Sequence, residues 1–582
     1  MPDDLGPDNV PAAETATITA GGAVLARLKA VGVDWIFANS GTDFPPIIEG
    51  LAEAAARNIA LPKAVVIPHE HAAMGMAHGY YLMSGRPQAV MAHTNVGLAN
   101  CAIGAINAAT EHVPVLMFSG RTPTVEQGRF GARTVPIGWG QEMRDQAALV
   151  REAAKWDYEL RFPEQAADVV DRAHAVAAST PRGPVYVSLP REVLCEQCPS
   201  EGLHAPPRVL PVPLAPPPGA VAEAAALLAR AERPLIIAQR GAGGPEGFAA
   251  LAALAAAWAI PVCQYWAVQL AVATDHPMYV GTDPGPWLAE ADVVLVLDSL
   301  APWSPAVHGH PAGCKVIQAG PDPLFARFPV RHFRADLSLA GETGEVVQAL
   351  AAAMPAAVPG AVAVRRARVA DAARAARARA MEAAEAGATG ALMTKAWVSL
   401  CLSRAVEAHT ASGGAASVLS ELGCPFEPFT LREPGAWFAE PHSGGLGWSF
   451  PTAMGMQLAE PGRLVVATMG DGSYMFANPV ACHQIAEALE LPVLVVILNN
   501  LEWGAVRQSV MGIYPDGHAA RADRVPLTSL EPSPDFTKVG QASRAWTARV
   551  DRAADLPGVL AEAIGHVTTR RGQALVEVRV AP

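Results

Sequence analysis

The stretch from Leu464 to Asn500 constrains the fold more than any other part of the chain. An uninterrupted apolar run, Leu464-Val465-Val466-Ala467-Thr468-Met469, has the length and composition of a strand buried on both faces, and it breaks at Gly470-Asp471-Gly472-Ser473. Helical sequence continues through Glu490. Pro492 to Leu498 then makes a second buried strand that closes on Asn499-Asn500. Strand, helix and strand in this order make parallel neighbours, so Asp471 and Asn500 fall at the carboxyl ends of two strands, the edge where open α/β sheets bind ligands. The two glycines predict a tight turn that lets backbone approach a ligand closely. One carboxylate and one amide oxygen form a hard, sparse donor set. It suits a magnesium ion that takes its remaining oxygens from water and a diphosphate.

The same alternation runs through the rest of the chain. Apolar runs at Trp35–Ala38, Ala64–Pro68, Gln88–His93, Val115–Phe118 and Val185–Pro190 alternate with helical stretches, which predicts a parallel α/β domain over 14–195. Its strand ends place Thr42, Glu70, His93 and Arg121 on one edge. A proline-rich linker leads to a second unit over 219–350, whose first strand ends at Arg240-Gly241-Ala242-Gly243-Gly244, a near miss for a dinucleotide-binding loop. An Ala- and Arg-rich helix over 351–390, read as solvated, connects to the third unit, 391–582. The fold class is therefore α/β, with three doubly wound parallel-sheet domains.

Residues 1 to about 13 read as a disordered tail without the basic-then-apolar order of a signal peptide. No apolar run is long enough to span a bilayer. A net charge of −12 argues against nucleic acid or an anionic membrane as the main partner. Eight scattered cysteines suit the reducing cytoplasm, with Cys195-x-x-Cys198 read as two surface thiols.

Gly470-Asp471-Gly472, followed after residues 473–498 by Asn499-Asn500, resembles the diphosphate-binding signature of thiamine diphosphate enzymes. The resemblance implies Asp471, Asn500 and the backbone carbonyl of Glu502 as magnesium ligands, with Gly470, Gly472 and Ser473 around the cofactor. His69-Glu70-His71 before a helix with Gly75 and Gly79 is similar to the family's cofactor-activating segment, which makes Glu70 the carboxylate that tautomerises the aminopyrimidine. Gly444-Gly445-Leu446-Gly447 resembles the loop whose leucine bends the cofactor, so Gly445 and Leu446 join the cofactor-binding set. Within the family, the finer resemblance is to benzoylformate decarboxylases. It lies in His93-x-x-x-Gly97-x-x-Asn100, Asn39-x-Gly41-Thr42 and Asp275-His276-Pro277, and implies His93, Thr42 and His276 as catalytic or substrate-contacting groups.

In the central domain some family members hold FAD or an ADP moiety and others hold nothing. Ser509 stands where acetolactate synthases carry a tryptophan, which sets this chain apart from genuine acetolactate synthesis. Glu502 is either a backbone ligand only or, as in 2-hydroxyacyl-CoA lyases, a base for a substrate hydroxyl. The implied function is a lyase that cleaves or forms a C–C bond beside a carbonyl, of the 2-keto acid decarboxylase or 2-hydroxyacyl lyase kind. The alternative is an acetolactate-synthase-like carboligase. The implied partners are a small-molecule substrate, possibly a CoA thioester, and further copies of the chain in a homodimer or homotetramer.

Overall fold

The computed structural model describes Ala16–Pro582 apart from Val358; the amino-terminal stretch read as a tail lies outside the described residues. Three parallel sheets follow one another along the chain. The first contains β1 (Trp35–Ala38), β2 (Lys63–Val66), β3 (Gln88–Ala92), β4 (Val115–Arg121), β5 (Asp157–Glu159) and β6 (Val185–Pro190), in the order β2-β1-β3-β4-β6-β5. The second contains β7 (Pro234–Ala238), β8 (Val262–Cys263), β9 (Val293–Leu297), β10 (Lys315–Gly320) and β11 (Leu337–Ala340), in the order β8-β7-β9-β10-β11. The third contains β12 (Ala416–Glu421), β13 (Trp437–Ala439), β14 (Leu464–Gly470), β15 (Val493–Asn499), β16 (Trp546–Val550) and β17 (Ala574–Arg579), in the order β13-β12-β14-β15-β17-β16. The central strands are buried along their whole length. That is why they read as continuous apolar runs without alternation.

Four helices position the groups discussed below: α1 (Glu70–Ser84), α2 (Thr94–Thr110), α3 (Pro359–Ala386) and α4 (Ser449–Ala459). Helix α1 of the first domain crosses α4 of the third through small residues. A Cβ on Gly79 would lie 1.9 Å from the Thr452 carbonyl oxygen, and one on Gly455 would lie 2.0 Å from that of Met76. The glycines that resemble a cofactor segment thus serve a close helix crossing. Among the described residues no helix is long and apolar enough to cross a membrane.

Several expectations need correction. Gly470-Asp471-Gly472 is not a separate tight turn but a direct strand-to-helix junction: β14 ends at Gly470 and the short helix α5 (Asp471–Phe476) starts at once. The helical stretch through Glu490 is broken at Asn478, which adopts φ 55°. Helix α3 is not simply solvated. Arg365 donates to the carbonyls of Trp258 and Ala259, and Arg377 to that of Phe429, so the helix is tacked to both neighbouring domains. Cys198 is buried in a short antiparallel ribbon, Gln197–Pro199 against Thr17–Thr19, and is not a surface thiol.

Candidate active site

The first domain gathers one cluster at the carboxyl edge of its sheet. Glu70 opens α1 and is 4% exposed; its carboxylate accepts from the side-chain amides of Asn39 at 3.0 Å and Asn100 at 2.9 Å. Both oxygens are thereby aligned, one by a donor just past the end of β1 and the other by a donor within α2. Gly97 stands behind them, and a Cβ there would come 2.6 Å from Oε1. His93 is the amino cap of α2, followed by Thr94 at φ 41°. Its Nδ1 bonds the buried Asp43 carboxylate, and its Nε2 lies 2.9 Å from the Gln141 amide nitrogen. The Asp43 hydrogen bond raises the His93 pKa above its ordinary value; partial burial opposes this, while the charges of Asp43 and Glu70 add to it. Two glycines leave room for the pair. A Cβ on Gly41 would overlap the His93 ring at 2.0 Å, and one on Gly120 would lie 1.5 Å from Asp43 Oδ2. Thr42 is exposed beside this cluster. Arg121 shares the edge but is spent on Glu142 and Glu159.

The second cluster sits at the carboxyl edge of the third sheet. Adjacent β14 and β15 pair Gly470 with Leu498, which sets Asp471 beside Asn499-Asn500. One position of the Asn500 amide lies 3.1 Å from Asp471 Oδ1 and 3.0 Å from the Glu502 carbonyl oxygen. With nitrogen there, the amide donates to both. With oxygen there, three oxygens converge without a proton between them, which is the donor set a hard dication satisfies. Burial pushes the Asp471 carboxyl up to about 6 against the N–H groups that donate to it and the charge of Lys395. Among the described residues no three His, Cys, Asp or Glu side chains group around a metal position, so the amide and the carbonyl are essential to this set. Ser473 Oγ is buried without a partner. Gly472 is needed because a Cβ would strike the Trp503 ring at 2.4 Å.

These groups, Gly470 to Ser473 with Asn500 and Glu502, line one cleft of about 710 Å³ between the central domain and the third sheet. Lys395 also lines it, donating to the Leu422 carbonyl at 2.9 Å. The Glu502 carboxylate turns to Arg507, whose Nε donates at 2.6 Å. His276 lies outside the cleft, where its Nδ1 accepts from the Met278 N–H within a turn.

The loop carrying Gly445 and Leu446 runs beside the cleft and is held from three sides. The N–H groups of Gly447 and Ser449 donate to the fully buried Glu421 carboxylate at 2.5 and 2.7 Å. The Asn107 amide donates to the Gly445 carbonyl at 2.9 Å. His71 Nε2 meets the Leu446 carbonyl at 3.1 Å; burial lowers the His71 pKa to about 4, so the neutral ring donates there. Nearby, Glu111 at the end of α2 pairs with Arg240 and also accepts from the His442 N–H, so all three domains meet at one buried ion pair. Arg240 heads the near-miss nucleotide loop, and Gly243 of that loop packs directly on Gly344.

Sequence reasoning missed Asp43, Gln141, Glu421, Lys395 and Glu440. The first three act through partners distant in the chain. A lysine at a helix start and an acid after a short strand carry no local signal.

Comparison with known proteins agrees with this layout. Three domain models of thiamine pyrophosphate enzymes match: the N-terminal TPP binding domain over residues 18–149, the central domain over 221–350 and the C-terminal TPP binding domain over 423–578. A probable 2-ketoarginine decarboxylase of Pseudomonas aeruginosa is 28% identical over 90% of this chain and 88% of its own. Benzoylformate decarboxylase of the same organism is 27% identical over 82% and 85%. The solved structure of a thiamine diphosphate-dependent 4-hydroxybenzoylformate decarboxylase from Rhodococcus jostii superposes with a TM-score of 0.77 at 21% identity, covering 97% of this chain and 99% of that one.

Proposed function

The chain belongs to the thiamine pyrophosphate enzyme family, in its decarboxylase and carboligase branch, and on that premise we propose that it decarboxylates a 2-keto acid with magnesium as the metal. The observation that carries this reading is the convergence of Asp471, Asn500 and the Glu502 carbonyl at one end of the cleft. When bound there, thiamine diphosphate supplies a nucleophilic carbon and an electron sink for the bond broken as CO2 leaves.

The chain's own residues supply the rest. Asp471, Asn500 and the Glu502 carbonyl hold the metal, and Ser473 Oγ donates to the diphosphate. Lys395 offers a positive charge to an anionic group. Glu70, aligned by Asn39 and Asn100, exchanges a proton with the aminopyrimidine. His93 works from Nε2 while Asp43 fixes Nδ1, a geometry suited to moving a proton to and from the substrate oxygen. The exposed Thr42 hydroxyl stands beside it as a substrate contact. Leu446 forms the wedge, on a loop that Glu421 and His71 keep in place. The Arg507 partner of Glu502 favours the backbone role of that residue over a base for a hydroxyacyl substrate. His276, bonded within its turn, is assigned no proton transfer.

The cleft lining starts at Tyr265 and contains no residue of the first domain. A complete site therefore takes Glu70 and His93 from a second copy, and a homodimer is the smallest working assembly. Eight free cysteines suit the cytoplasm. The test is a panel of 2-keto acids and 2-hydroxyacyl-CoA thioesters with added thiamine diphosphate and magnesium, run beside Glu70→Gln and Glu502→Gln. The reading expects CO2 release that Glu70→Gln abolishes and Glu502→Gln spares. Thioester cleavage lost in both variants would replace it with the lyase, and a C5 product from pyruvate alone would replace it with the carboligase.

A further inference from the structure

The walls of the cleft carry more negative charge than the metal site needs. Asp283, Glu427, Glu440, Asp471 and Glu502 line it against a single lysine, Lys395. Three of the five are engaged, Asp471 at the metal position, Glu502 with Arg507, and Asp283 with the Gly285 N–H at 2.9 Å and the His308 ring at 3.5 Å. Glu427 accepts only a hydroxyl bond from Thr282 at 2.8 Å. Glu440, half-buried just past the end of β13, has no cation within 4.0 Å among the described residues and no side chain donating to it. Burial raises its pKa, opposed by the backbone N–H groups of Glu440 and Leu422 and by the charge of Lys395. A carboxylate in that position is costly unless something charged meets it.

The same walls are aromatic. Tyr265, Trp266, Phe426, Trp437 and Trp503 face the cleft, and Trp266 is 64% exposed despite its size. Carboxylates among aromatic faces are the chemistry that receives a guanidinium or an ammonium group, through charge-assisted hydrogen bonds and cation–π contact. An apolar substituent would leave Glu440 desolvated without a cationic partner, so the wall selects against neutral side chains as well as for cationic ones.

We propose that the substrate is a 2-keto acid whose side chain ends in a cation, received by Glu440 against the aromatic wall of the cleft. This rests on the decarboxylase reading above and adds the substrate class. Glu440 is a specificity-determining residue with no part in proton transfer.

The experiment uses the full chain loaded with thiamine diphosphate and magnesium. Initial rates are compared for guanidino- and amino-terminated 2-keto acids, a neutral straight-chain 2-keto acid of the same length, and benzoylformate, in the parent and in Glu440→Gln. A preference in kcat/KM of roughly 100-fold or more for the cationic acids is expected, falling about 10- to 100-fold in Glu440→Gln, mainly through KM. In parallel, calorimetry measures binding of a 2-hydroxy acid with a guanidinium side chain, which does not turn over. Its affinity should fall by a similar factor in Glu440→Gln, with circular dichroism showing that the variant is folded. Equal or better turnover of the neutral acids by the parent overturns the proposal and leaves the decarboxylase reading standing. So does an unchanged preference in Glu440→Gln. If no 2-keto acid is decarboxylated, the decarboxylase reading falls. Calorimetry then judges the cation site alone: binding that Glu440→Gln weakens upholds it, and anything else removes it.

Discussion

Breaking the Glu111–Arg240 pair should be among the most damaging single changes outside the catalytic groups. Both side chains are 3% exposed. Arg240 donates to Glu111 from Nε at 2.6 Å and from Nη2 at 3.3 Å, and its remaining Nη1 has no partner. Replacing Arg240 by Met leaves a carboxylate buried at a junction of three domains, and replacing Glu111 by Leu leaves a guanidinium there. Removing one partner of such a pair costs about 3–5 kcal/mol, whereas exchanging both for apolar residues of similar volume is often close to neutral. Glu111→Leu also strips the His442 N–H of its acceptor, so about 1–3 kcal/mol should persist in the double variant. With about 2–4 °C of melting temperature per kcal/mol for domains of this size, each single variant should lose roughly 6–20 °C and the double variant distinctly less.

Calorimetric unfolding of the four proteins in one double-mutant cycle measures this directly. The cation holds the Glu111 carboxyl below its ordinary value despite the opposing effect of burial. The pair's contribution is therefore complete above the usual carboxylate range and is lost as the pH falls through the folded value. Single variants within about 1 kcal/mol of the parent, or strictly additive losses, would refute the reasoning.

Three further outcomes follow from the same geometry. Gly41→Ala places a methyl into the His93 ring and should lower kcat about 100-fold in a protein that circular dichroism shows to be folded; unimpaired turnover would mean that His93 is not held there for catalysis. Asp43→Asn removes the main cause of the raised His93 pKa, so the His93 titration followed by NMR should move to lower pH, and an unmoved titration would deny the pairing. His71, His78 and His483 are buried, each with its pKa lowered to about 4 from 6.5 chiefly by desolvation. The unfolded chain takes up these protons first, so stability should be full above pH ~6.5 and fall by on the order of 5 kcal/mol by pH ~4.5, a loss that denaturant titration at the two pH values would reveal.

The meeting of Asp471 with Asn499-Asn500 was legible because everything that brings them together is local. Two strands buried on both faces announce themselves as apolar runs, and the residues after them must lie on one edge. The three-sheet architecture followed from the same signal repeated along the chain. Local sequence could not tell a glycine that bends backbone from one that makes room for a neighbour. Gly472 therefore read as a turn residue, although its reason is the Trp503 ring. The partners that fix the site were hidden for a related cause. Asp43 reaches His93 across fifty positions, and Glu421 reaches the Gly447 and Ser449 N–H groups across more than twenty-five. No periodicity connects residues that meet only when strands are laid side by side. His276 was the reverse case, a familiar dipeptide whose ring serves its own turn.

Helix α2 carries a consequence for how the two halves of a dimer would work together. Its amino end holds His93 and, two turns on, the Asn100 that aligns Glu70; its far end holds the wedge loop through Asn107 and the central domain through Glu111. In the proposed dimer those two ends serve different active sites, one formed with the partner's cleft and the other with this chain's own. Seventeen residues of helix form a rod about 25 Å long that does not shorten under load. A shift at one end of that rod would be felt at the other, so α2 joins the two sites of the proposed dimer.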